Sequence, residues 1–179
     1  SERCLPPVAL WDDNPRWSPD GDWLLIESID ETFGNELYRL SLNDGRIEAL
    51  TQAVGNDMSA SLAPDGQRIL FVSQRDGLRR LYMIDGDGTA RPITSAASNA
   101  MSPAWSPDGR WIAYVTDRDV GEELYLLDAV CLDPPGCNDD GQRLTHFQSL
   151  ITDLAWSPDS QTVAFSSGDF DLFTLEIES

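Results

Sequence analysis

Apolar and polar positions along this chain fall into short runs, and the runs recur. Four stretches are apolar and rich in β-branched or aromatic residues: WLLIES (23–28), RILFVS (68–73), WIAYVT (111–116) and TVAFSS (162–167). After each comes a polar, turn-like patch and then a second run with an aromatic near its start. These second runs are ELYRLSL (36–42), RLYMID (80–85), ELYLLD (123–128) and LFTLEI (172–177). Three units then close on an apolar residue plus Thr, in RIEALT, ARPIT and GQRLT. No segment sustains the i, i+3, i+4, i+7 spacing of an amphipathic helix over three turns. The pattern predicts strands throughout, and the class is all-β.

A five-residue phrase precedes each first run: WSPDG (17–21), LAPDG (62–66), WSPDG (105–109) and WSPDS (156–160). Its prolines, Pro19, Pro64, Pro107 and Pro158, are spaced by 45, 43 and 51 residues. Pro presets φ at the second turn position, Asp tolerates turn geometry and Gly supplies a positive φ. Between two strand runs this is a hairpin turn. NDG (43–45) and DGDG (85–88) are turns of the same kind. Each unit therefore reads as four strands, and four strands at this period describe a propeller blade. The expected blades cover about 12–51, 57–94, 100–145 and 151–179 of one domain spanning 1–179. The Trp of each phrase is expected to pack between blades.

The phrase WSPDG followed by an apolar run, with SQRDGLRRLY (73–82) in the second unit, resembles the TolB-type β-propeller repeat. That repeat is similar to the propellers beside the catalytic domain of prolyl-oligopeptidase-type peptidases. The resemblance covers the chain from about residue 14 onward and implies a fold more than a function. It also bears on closure. Residues 3–6 align with the outermost strand of blade one, so 3–8 is expected to supply the outer strand of the last blade. Two arrangements follow: a ring closed as four blades, or a homodimer in which each N-terminus completes its partner, giving eight.

Charge narrows the partners. The chain has 31 Asp plus Glu against 12 Arg, with no Lys, for a net charge of −19. Nucleic acid and anionic membranes need the opposite field, so a basic protein or peptide is the expected partner. No apolar run approaches the ~20 residues of a membrane helix. The chain does not begin with Met, which suggests a processed chain or an excerpt of a larger one. Cys131 and Cys137 bracket LDPPG in an insertion and look like a small disulfide clasp, which implies an oxidising compartment. A zinc site would need further ligands. Cys4 is left over, either free or paired elsewhere.

The search for chemistry returns little. His146 is the single histidine, and no nucleophile elbow, HExxH, GxGxxG or P-loop occurs. The peptidase relatives carry their nucleophile in a separate α/β domain. The expectation is thus a non-enzyme: a protein- or peptide-binding module outside the cytoplasm, periplasmic or secreted, like TolB-type envelope proteins. The alternative is an accessory propeller of a larger enzyme. In the resembled fold, loops between blades reach the channel mouth. Here those loops carry Asp12, Asp13, Asp57 and Asp153, an expected acidic ring, and the second-to-third strand loops add Arg75 and Arg118. No cofactor is expected. Calcium is the one alternative, resting on DGDG and NDDG, which lack the full spacing of a calcium loop.

Overall fold

A computed structural model describes residues 7, 11–30, 34–119, 121–133, 141–146 and 150–177. Blade one orders β1 (Asp12–Trp17), β2 (Trp23–Asp30), β3 (Gly34–Ser41) and β4 (Ile47–Ala49) as an antiparallel sheet. Blade two repeats it with β5 (Asp57–Leu62), β6 (Ile69–Ser73), β7 (Arg80–Ile84) and β8 (Ala90–Pro92). Blade three holds β9 (Ala100–Trp105), β10 (Trp111–Asp119), β11 (Gly121–Asp128) and β12 (Gln142–Arg143). A one-turn 3-10 helix, Ala129–Leu132, follows β11. Blade four contains three described strands, β13 (Ile151–Trp156), β14 (Thr162–Ser167) and β15 (Leu172–Glu176). Apart from Pro7, the expected closing strand at 3–8 lies outside the described residues.

In blades one, three and four the repeated phrase builds the first hairpin through one set of bonds. Blade two, with Ala63 in place of Ser, keeps the Gly66 amide on the Ala63 carbonyl at 2.9 Å and the Gln67 amide on Asp65 Oδ1 at 2.9 Å. In blade one the Ser18 hydroxyl donates to Asp20 Oδ1 at 2.6 Å and accepts the Trp23 amide at 3.0 Å. Ser106 and Ser157 make the same bonds to Asp108 and Asp159 at 2.6 Å each. Gly21 takes φ +77° and returns its amide to the Ser18 carbonyl at 3.0 Å. Blade four puts Ser160 there at φ +61°, and its hydroxyl accepts the Asp108 amide at 3.0 Å, linking two blades. The closing threonines have a matching job. Thr51, Thr94 and Thr145 are buried, and their hydroxyls accept the Leu37, Leu81 and Leu124 amides at 2.9, 3.1 and 2.9 Å. These amides end a ladder that the short outer strands do not reach.

Apolar faces then stack blade on blade. Leu70, Val72, Leu81 and Met83 of blade two meet Trp105, Ile112, Tyr114 and Tyr125 of blade three. Trp23, Leu25 and Leu37 meet Ile69 and Phe71 across the first interface, and Ala113, Val115 and Leu124 meet Val163 and Phe165 across the third. The expected packing of the phrase Trp holds at two sites. Trp105 is 6% exposed, and half-buried Trp156 donates its indole N–H to the Ala104 carbonyl at 3.0 Å. Trp17 departs from it at 66% exposed. Trp105 and Trp156 pack on the preceding blade, and among the described residues no strand ladder joins blade one to blade four.

Candidate functional site

The innermost strands β1, β5, β9 and β13 converge on a cavity of about 300 Å³. Its polar walls are Asn14 and Arg16 from β1, Ser59 and Ser61 from β5, Ser102 from β9, and Thr152 and Asp153 from β13. Glu27 from β2 completes it. A second cavity, of about 320 Å³, shares Asn14 and Glu27 and is lined also by Trp11 and Asp13.

Each innermost strand is bulged where it meets this space. The ladder slips between Asp13 and Arg16, between Met58 and Ser61, opposite Ala113 and Val115 in blade three, and between Ile151 and Asp153. At three bulges a non-glycine residue takes a left-handed backbone: Asn14 at φ +48°, Ser59 at +53° and Ser102 at +49°. These three and Asp153 stand three residues before the phrase's Trp or Leu, so they form one tier of repeat-equivalent positions. Such conformations cost about 1 to 3 kcal/mol each and persist where surrounding structure dictates them. Bulges of this kind re-aim side chains. Here they collect four short polar side chains around a single cavity.

The electrostatics are mixed. Glu27 is committed on both oxygens, accepting the Ala60 amide at 3.0 Å and the Asn14 side-chain amide at 3.2 Å. It thereby ties blade one to blade two. Asp153 is exposed and, among the described residues, accepts only its neighbour's amide, Leu154 N at 2.9 Å, on Oδ1. The buried Glu36 carboxyl of β3 is pushed above the usual range by desolvation, with nearby Asp57 adding to the rise.

Comparison with known proteins follows this geometry. Residues 10–119 match the family model described as TolB beta propeller domain. The chain belongs to the TolB beta-propeller family. Residues 138–172 match a second model, WD domain, G-beta repeat. A protein assigned as TolB from Agrobacterium tumefaciens superposes with a TM-score of 0.77 at 23% identity, over 91% of this chain and 57% of its own. TolB from Acinetobacter baumannii gives 0.72 at 20% identity, over 94% and 44%. A puromycin-hydrolyzing peptidase of Mycobacterium tuberculosis gives 0.72 at 18% identity, over 98% and 28%. Such identities establish the fold. This TolB-family chain spans 57% and 44% of the two TolB structures.

Within this TolB-family propeller the residues expected from sequence separate. Asp153 lines the axial cavity and Asp13 the adjoining one, its Oδ1 accepting the Asn14 amide at 2.7 Å. Asp12 accepts the Ser28 hydroxyl at 2.7 Å. Asp57 is fully buried and paired at 2.6 Å with Arg75 of the same blade, so neither is open to a ligand, contrary to the expectation. Arg118 lies 3.7 Å from the Tyr125 ring centroid and donates to the Gly141 carbonyl at 2.7 Å. Cys131 is half-buried against the core of blades two and three, and Cys137 lies outside the described residues. Exposed His146 is the only histidine in the sequence. No three His, Cys, Asp or Glu side chains gather to hold a metal among the described residues. No helix there is long and apolar enough to cross a membrane. The expectation from sequence did not include Asn14, Arg16, Glu27, Ser59 or Ser102. For Asn14, Ser59 and Ser102 the signal is the fixed three-residue offset from the phrase, while Arg16 and Glu27 carry no such signal.

Proposed function

We propose that this propeller is a non-catalytic binding module that engages a basic protein or peptide at the axial cavity, outside the cytoplasm. The observation that carries this is the tier Asn14, Ser59, Ser102 and Asp153. Four blades each give a short polar residue to one cavity, and three of them stand in a strained backbone that the fold maintains. The nearby carboxylates Asp13 and Asp153, on a chain of net charge −19, favour a cationic ligand. Mapping where a basic tripeptide, trilysine, binds on the isotope-labelled protein tests the reading.

The extracytoplasmic placement rests on the cysteines. Cys131 and Cys137 pair in this account and close the loop that lengthens blade three. So short a loop restricts the unfolded chain by only ~2 kcal/mol, so the bond orders the loop more than it holds the fold. Intact mass under non-reducing conditions is expected to fall by two hydrogens. Two free thiols in protein from an oxidising compartment would contradict it.

A second reading has its own support in the Mycobacterium tuberculosis peptidase, which contains a propeller matching 98% of this chain. On that reading the module is the accessory propeller of a larger enzyme. A nucleophile elbow in an α/β segment of the same reading frame would favour it.

A further inference from the structure

We propose that the axial cavity reads the C-terminal end of a basic peptide, with the terminal carboxylate on Arg16 and a basic side chain on Asp153. The inference rests on the peptide-binding reading above and adds what part of the peptide is recognised.

Arg16 is the reason. Carboxylates outnumber arginines heavily in this chain, and most described guanidiniums are taken. Arg75 holds Asp57, Arg80 holds Asp76, and Arg143 holds Glu123. Arg16 is exposed, lines the cavity, and makes no hydrogen bond or ion pair among the described residues. Its repeat equivalents are Ser61, Ala104 and Ala155, so the repeat itself does not require a cation there. A free guanidinium offers a planar pair of donors matched to a carboxylate. Ser59 and Ser102 line the same cavity, and their hydroxyls are likewise unpartnered among the described residues. They can donate to the ligand's oxygens or accept from its amides.

Asp153 supplies the opposite sign on the β13 wall, with Oδ2 uncommitted among the described residues. One cationic and one anionic anchor in one cavity suit a ligand carrying both charges. An isolated polyanion such as phosphate is disfavoured, because Glu27 and Asp153 share the walls and the whole chain is acidic. A peptide that brings its own cation beside its carboxylate avoids that repulsion.

Calorimetric titration with trilysine as the free acid and as the C-terminal amide decides the matter. Non-specific attraction to an acidic protein favours the amide, which has the larger positive charge. The proposal predicts the reverse: the free acid binds about tenfold more tightly, as one charge-assisted contact warrants. Arg16→Gln, at an exposed position, should erase the preference and keep the affinity for the amide. Equal binding of the two forms by the unaltered protein, or a preference that survives Arg16→Gln, overturns the proposal. If Asp153→Asn then weakens both forms alike, basic-peptide binding stands and only the carboxylate reading falls. If neither form binds, both fall.

Discussion

A single serine explains why the phrase recurs in blades one, three and four, while blade two carries Ala63 in its place. In WSPDG the Ser hydroxyl donates to the turn Asp and receives the first amide of the next strand, so one side chain closes the hairpin from both ends. The carboxylates respond electrically. The Ser18 hydroxyl, then the Asp22 amide, hold Asp20 below its ordinary value of 3.8; Ser157 and the Gln161 amide do this for Asp159, and Ser41 and the Arg46 amide for Asp44. A depressed folded pKa gives stability that is complete above the unfolded value and is lost as pH falls through the folded one. Glu36 runs the other way: its contribution is present below 4.5 and fades as pH rises through its raised folded value. Asp76 and Asp108 are depressed too. With five lowered carboxyls against one raised among the described residues, the urea midpoint is expected to drop as pH falls from about 4 toward 2. A midpoint that holds or rises across that window would contradict these turn bonds.

At the scale of the element, the innermost strand does two jobs with different residues. Its last position packs on the preceding blade, and the position three before it faces the axis. The first job predicts unequal costs for the same substitution. Trp105→Ala removes a buried anchor of the core between blades two and three and should cost about 3 to 5 kcal/mol. Trp17→Ala removes an exposed side chain and should change stability by at most about 0.5 kcal/mol. Urea unfolding of the two variants checks this, and equal losses would refute the packing order. The first job was legible in the sequence, because a Trp beside Pro-Asp-Gly turns and apolar runs reads as packing between blades. The closing Thr was visible as well, though not the buried amide it satisfies. The second job was not. Nothing in the residue types of Ser59 and Ser102 announces a left-handed backbone, which bulged strands impose on them. Nor does Asp57 announce its burial, since a lone aspartate in a loop gives no sign of the Arg75 that neutralises it.

At the scale of the molecule, four blades of one repeat form three apolar interfaces among the described residues and surround a polar space with their innermost strands. The blades share their Pro-Asp hairpin turns, whereas the tier at the axis varies from Asn14 through Ser59 and Ser102 to Asp153. That division assigns recognition to the axis and stability to everything around it. Two-dimensional amide spectra of the 15N-labelled protein, recorded as trilysine is added, test it most directly. The account predicts that the largest shifts fall on the tier and its neighbours in β1, β5, β9 and β13, and weaken as added salt screens the contact. Shifts confined to β4, β8 and β12, or spread evenly over the acidic surface, would contradict it.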